Sequence, residues 1–200
     1  MTAAGQIVVL NGAPRSGKSA IVKAIQHGFD GPWMNIGVDV ARLMTPERFQ
    51  PGIGLRPGEP AHRVAPLVPA LYAALYGSIA AHSEAGLNVV VDVGHHHPGI
   101  LSACARRLDG LPAIFVGVRC PIEVIMERRG ASPEGTYVRE STDEPVPAPV
   151  LRWQREVHLP GIYDLEVDTS VSSPEECAEA IRRRLEDPAP ATAFHRLAQH

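Results

Sequence analysis

One run of residues near the start of the chain restricts its fold more than any other. Gly12-Ala13-Pro14-Arg15-Ser16-Gly17-Lys18-Ser19 matches G-x-x-x-x-G-K-[ST] at every defined position. The β-branched run Gln6–Leu10 precedes it and reads as a buried strand. Apolar residues at Ala20, Ile21, Ala24 and Ile25 follow at helical spacing. Strand, glycine-rich turn and helix in this order place backbone N–H groups around an anion, at the positive end of a helix. Such a loop cradles the phosphates of a nucleoside triphosphate. Gly12, Ala13, Pro14, Arg15, Ser16, Gly17, Lys18 and Ser19 are therefore the nucleotide-binding candidates. Lys18 would reach the β- and γ-phosphates, and the Ser19 hydroxyl would ligate Mg²⁺. Lys18 is conspicuous because the only other lysine is Lys23.

The rest of the chain alternates strand and helix signals. Met34–Val40, Leu87–Val93, Ala113–Val118 and Tyr163–Val167 read as further strands. Leu67–Ala85, Gly99–Leu108, Pro121–Arg129 and Val150–His158 read as helices, with Gly86 past the end of the first and Pro121 at the first position of the third. Ser173-Pro174-Glu175-Glu176 opens a last helix with a capping box. This alternation predicts an α/β fold with a parallel sheet covered on both faces. The Pro- and Gly-rich stretch Leu43–Glu59 reads as a loop or irregular segment on the substrate side. We expect one domain over 1–186, a mobile lid near 128–149, and a tail of uncertain order over 187–200.

Composition excludes some functions. Net charge is −3 and no Lys/Arg run occurs, so the electrostatic footprint of a nucleic-acid binder is missing. The apolar stretch Leu67–Ala81 is interrupted by Pro69, two tyrosines, Gly77 and Ser78, and does not read as a membrane span. The N-terminal residues lack the pattern of a signal peptide. Cys104, Cys120 and Cys177 are odd in number and widely spaced, which predicts buried, reduced thiols and a cytoplasmic setting.

In an open α/β sheet, ligands sit beyond the C-terminal ends of the strands. Asp39 and Asp92 both stand at predicted strand ends. Phosphoryl transfer to an alcohol needs a group that orients the hydroxyl and accepts its proton, and an acid that helps to hold Mg²⁺. Asp39 is assigned the first role and Asp92 the second, since Asp92 ends a hydrophobic run. Arg128, Arg129 and Arg139 flank or occupy the predicted lid and would either neutralise charge on the transferring phosphoryl group or, at the helix end, simply be solvated and favoured by the helix dipole. His95-His96-His97 follows the Asp92 strand. Adjacent side chains point in different directions, so this triplet suits substrate contact better than a metal site. Tyr72 and Tyr76 would line an apolar pocket or belong to the core.

These residues together carry a resemblance. IVVLNGAPRSGKS, the GVDV segment around Asp39, the VVVDV strand, FVGVRC at Phe115–Cys120 and VH…YDLEVDTS at Val157–Ser170 resemble the chloramphenicol phosphotransferase family of P-loop kinases. The resemblance implies a three-layer fold with a five-stranded parallel sheet flanked by helices. It implies ATP- and Mg²⁺-dependent O-phosphorylation of a small hydroxyl compound, as in 3-O-phosphorylation of chloramphenicol, and a role in antibiotic resistance. It further implies Asp39 as general base, Lys18 and Ser19 as phosphate-loop residues, and Arg128 and Arg129 as lid arginines. The Ala-Pro-Arg-Ser interior of the loop, the Leu43–Glu59 stretch and the lid depart from the family pattern, which leaves the acceptor open. Another antibiotic, a nucleoside and a sugar remain alternatives, as does a non-catalytic nucleotide-binding regulator. Homo-oligomerisation is also open.

Overall fold

A buried central strand, β1 (Ile7–Asn11), organises the molecule. The computed structural model describes residues 3–50, 61–132 and 146–200. Parts of the two segments read above as a substrate-side loop and a lid, including Arg139, lie outside the described residues.

β1 pairs in parallel with β3 (Asn88–Val93) on one side and β4 (Ala113–Arg119) on the other. The short β2 (Trp33–Asn35) and β5 (Leu165–Asp168) form the edges. The order is β2-β3-β1-β4-β5, with every pairing parallel. Runs of valine and isoleucine suit strands that are covered on both faces.

Alternate residues of β1 supply two cores, as the two-residue period of a strand requires. Val8 and Leu10 face α1 (Lys18–Gly28) and α8 (Pro174–Glu186), meeting Ile21, Ile25 and Ile181. Ile7 and Val9 face α4 (Val68–Glu84) and α5 (Pro98–Leu108), meeting Tyr76, Ile79, Leu101 and Leu108. A smaller cluster joins Ala13 of the phosphate loop to α6 (Ile122–Gly130) and α7 (Ala148–Glu156) through Ile125, Val150 and Trp153.

The structure departs from the sequence reading at several element boundaries. The second strand ends at Asn35, and Asp39 lies in the first turn of helix α2 (Val38–Met44). The extended Gly37 turns the chain there, and an acid in the first turn favours a helix start. Pro121 caps α6 from outside, one residue before its first turn. α7 begins at Ala148, two residues earlier than its apolar pattern suggests. The C-terminal tail contains helix α9 (Ala193–Ala198), whose Ala193, Phe194 and Leu197 are buried against the β4 and α5 side. Beyond Val64, which ends the short α3 (Ala61–Val64), a 3₁₀ turn leads into α4. The capping box is present: Ser173 Oγ accepts from Glu176 N–H, and the Glu176 carboxylate accepts from Ser173 N–H.

Among the described residues no helix is long and apolar enough to cross a membrane. All three cysteines are free and buried.

Candidate active site

The phosphate loop leaves the end of β1 and curls over the N-terminus of α1. Gly12 and Gly17 are needed for different reasons. A Cβ on Gly12 would lie 2.6 Å from the Val118 carbonyl oxygen, so the backbone there has no room for a side chain. Gly17 caps α1 with φ +91°, a left-handed conformation that glycine adopts without strain. Arg15 also has a positive φ, 68°, which is uncommon for a residue with a side chain.

A ring of hydrogen bonds holds that loop. Arg15 donates to Ser132 Oγ, and Ser132 Oγ donates to the Arg128 carbonyl at 3.0 Å. Arg128 donates back to the Arg15 carbonyl at 3.4 Å, to Thr169 Oγ1 at 3.0 Å and to the Thr169 carbonyl at 2.7 Å. Thr169 Oγ1 donates to the Ser16 carbonyl at 2.8 Å. The end of α6 and the turn after β5 are thereby tied to the phosphate loop. Lys18 Nζ donates to the carbonyls of Gly12 at 2.8 Å and Ala13 at 2.9 Å, which keeps the ammonium over the loop.

Ser19, in the first turn of α1, faces β3. Its hydroxyl donates to Asp92 Oδ2 at 2.9 Å, and Asp92 is buried at 7% exposure. Parallel pairing sets this meeting, because Asp92 lies opposite Leu10, two residues before the loop begins. Gly37 packs against the other side of the same carboxylate, and Asp39 follows two residues later.

A polar hub that the sequence reading missed supports the floor of the site. Asn11 is buried at the end of β1. Its side-chain amide donates to the Val157 carbonyl at 2.7 Å and to Tyr163 Oη at 2.9 Å, and its Oδ1 accepts from His95 N–H at 2.8 Å. His95 Nε2 meets Tyr76 Oη at 2.8 Å, and His158 Nδ1 meets Tyr163 Oη at 2.8 Å. Burial drives the His95 pKa down to about 3, with the neighbouring His96 adding to the effect. Burial also lowers His158 to about 4, aided by the positive charges of Arg119 and Lys18. Both rings are therefore neutral at pH 7, as members of a hydrogen-bonded floor should be. The signal was a lone asparagine ending an otherwise apolar strand, directly before the loop.

Above this floor lies a cleft of about 2530 Å³. Lys18, Ser19, Asp39, Asp92 and Arg128 all line it. Gly12, Pro14, Arg15 and Gly17 line it as well, whereas Ala13 packs into the α6/α7 cluster and Ser16 is buried. Arg129 points elsewhere and lines a separate small cavity with Pro14 and Trp153. Arg119 forms a half-exposed ion pair with Glu166 across β4 and β5. Of the histidine triplet, His96 and His97 line the cleft, while His95 belongs to the floor. Tyr72 and Tyr76 contribute to both cleft and core. Ile100 and Leu71 extend the same apolar wall.

A family model described as chloramphenicol phosphotransferase-like protein matches residues 5–186. The chain belongs to that family. As a chloramphenicol phosphotransferase-like protein it is a P-loop phosphotransferase acting on small-molecule hydroxyl groups. Solved structures share the fold of this family member at low identity. An unliganded sugar kinase from Janibacter sp. HTCC2649 is 19% identical, with a TM-score of 0.58 and coverage of 98% of this chain and 99% of the other. The tunicamycin resistance protein of Deinococcus radiodurans is 14% identical, with a TM-score of 0.57 and coverage of 90% and 95%. The Mycobacterium tuberculosis APS kinase, solved with AMPPNP and APS, is 14% identical, with a TM-score of 0.58 and coverage of 92% and 99%. No functionally curated protein matches the sequence significantly.

Proposed function

We propose that this protein transfers the γ-phosphoryl group of ATP to a hydroxyl of a small molecule bound between α2, α4, α5 and α7. The observation that carries this reading is one cleft lined by a phosphate-loop lysine and serine and by two carboxylates from different elements. A protein that only binds nucleotide has no use for Asp39 in that cleft.

The triphosphate sits on the N-terminus of α1, where Lys18 offsets charge on the β- and γ-phosphates. An all-oxygen pair, the Ser19 hydroxyl and the Asp92 carboxylate, suits a hard cation, and these two would hold Mg²⁺. When held there, such an ion would supply charge neutralisation during phosphoryl transfer. Asp39 orients the acceptor hydroxyl and takes its proton as the new O–P bond forms. The bond from the γ-phosphorus to the β-γ bridging oxygen breaks, and ADP leaves. Arg128, fixed by Thr169, presents positive charge beside the loop. The apolar wall of Leu71, Tyr72 and Ile100 receives the carbon skeleton of the acceptor. The buried free thiols fit a reducing, cytoplasmic setting.

The test is ADP release from ATP and Mg²⁺, with and without acceptor, with the product identified by mass. Chloramphenicol is the first acceptor, followed by other hydroxylated antibiotics, nucleosides and sugars. Stimulation by chloramphenicol would assign the activity that the family description names. Stimulation by another compound keeps the mechanism and changes the acceptor. Tight ATP binding without stimulation by any compound would favour a regulator.

A further inference from the structure

We propose that the acceptor carries an oxyanion, a carboxylate or a phosphate, held by arginines on the acceptor side of the cleft. This rests on the kinase reading and narrows its substrate class.

The argument starts from charge. The whole chain has more acids than bases, 22 against 19. The described lining of the cleft has the opposite balance: six arginines and Lys18 against Asp39 and Asp92. The phosphate loop accounts for Lys18, Arg15 and Arg128, which hydrogen bonds gather around it. Arg42, Arg107, Arg152 and Arg155 remain, and they come from α2, α5 and α7.

One of these four is placed to act with the proposed base, and a second stands beside a histidine of the cleft. Arg42 follows Asp39 by three residues on α2, so both lie on the same side of the helix. Its guanidinium donates to Gln50 Oε1 at 2.9 Å, and Gln50 Nε2 donates back to the Arg42 carbonyl at 3.0 Å and to the Thr45 carbonyl at 2.7 Å. The arginine is thus pre-oriented at the mouth of the cleft. Arg152 stands on α7 near His96, and its positive charge contributes to lowering the pKa of that ring. Elsewhere on the surface Arg119 meets Glu166 and Arg182 meets Glu179, but among the described residues no carboxylate pairs with Arg42, Arg107, Arg152 or Arg155. Four unneutralised guanidinium groups around one opening favour an anionic ligand, and a guanidinium fork binds carboxylate or phosphate oxygens in pairs.

The test fills the phosphate loop first. With AMPPNP and Mg²⁺ saturating, inorganic phosphate is titrated at constant ionic strength while Tm is followed. AMPPNP should raise Tm on its own. Inorganic phosphate at about ten times its Kd should add about 3–6 °C. The doubly substituted protein Arg42→Gln/Arg152→Gln should lose that second rise. Both side chains are exposed, so the variant should fold, and Arg107→Gln provides an independent one. An equal phosphate response in wild type and both variants overturns the anion site and leaves the kinase reading standing. No response to AMPPNP overturns the kinase reading and this inference with it. Matched acceptors give a second readout: glucose 6-phosphate should be turned over with at least about tenfold lower KM than glucose, or shikimate than its methyl ester. Preference for the neutral member of each pair also overturns the proposal.

Discussion

Gly37 packs so tightly against Asp92 that a Cβ at position 37 would overlap the carboxylate oxygen Oδ1. The same carboxylate accepts the Ser19 hydroxyl through its other oxygen. One buried acid therefore spaces two elements at once, the start of α1 and the start of α2 that carries Asp39.

Gly37→Ala should push Asp92 away from Ser19. We expect a stability loss of about 1–3 kcal/mol from the clash, and Mg²⁺-dependent nucleotide affinity should fall with it. Calorimetric titration with AMPPNP, with and without Mg²⁺, separates the two effects. Wild-type affinity in the alanine variant would show that the Ser19–Asp92 pair is not the cation site.

Asp39→Asn keeps the size of the side chain and removes its basicity. Turnover with the best acceptor should fall by about 10²–10⁴-fold, and AMPPNP affinity should stay at the wild-type value. Steady-state kinetics and the same titration measure both. Normal turnover would remove Asp39 from the chemistry.

Asn11→Leu replaces the hub of the floor with an apolar side chain of similar volume. It breaks bonds to Val157, Tyr163 and His95, leaving buried partners unpaired. The expected loss is about 2–5 kcal/mol, read from urea unfolding. A change below about 0.5 kcal/mol, ordinary for a surface substitution, would mean that water replaces the asparagine without cost.

The two depressed histidines give a pH prediction. In the unfolded chain each ring binds a proton near its ordinary value of 6.5, whereas the folded protein resists protonation until about pH 3 at His95 and about pH 4 at His158. Between pH 6.5 and 4 the unfolded state therefore holds more protons, so stability falls as pH drops and is unaffected by these groups above 6.5. The slope approaches about 1.4 kcal/mol per pH unit for each histidine. Unfolding measured from pH 7.5 to 5 should show it, and His95→Gln should remove about half of it. A slope unchanged in that variant would contradict a neutral, buried His95.

Phe194→Ala tests the docking of α9. Phe194 is 4% exposed and its ring lies 5.2 Å from that of Phe115. The substitution should cost about 3–5 kcal/mol, measured as the shift in unfolding midpoint. A loss under about 1 kcal/mol, as at a surface position, would mean that the tail lies loosely on the domain.

The features legible in the sequence were those with local causes. Glycine spacing and apolar period identify the loop and its helix, the apolar run before Asp92 identifies β3, and Ser173 with Glu176 identifies the start of α8. The helical setting of Asp39 was hidden because Ile36, Val38 and Val40 favour a strand locally, while the turn at Gly37 depends on a carboxylate far along the chain. The same reason hid α9: Ala- and Pro-rich composition gives a weak signal, and its order comes from burial of Phe194 and Leu197. Arg128 and Arg129 looked equivalent in sequence. Successive residues on a helix point about 100° apart, from its 3.6 residues per turn, so only Arg128 reaches the cleft.

Lys18 rests on two loop carbonyls, and the only other side-chain amine, Lys23, is exposed on the outside of α1. Acylating reagents therefore meet a chemically simple protein. Lys23 reports how much reagent was delivered, and Lys18 reports whether a triphosphate covers it. The ratio of two peptide masses becomes a gauge of nucleotide occupancy, with no dye, radiolabel or knowledge of the acceptor required.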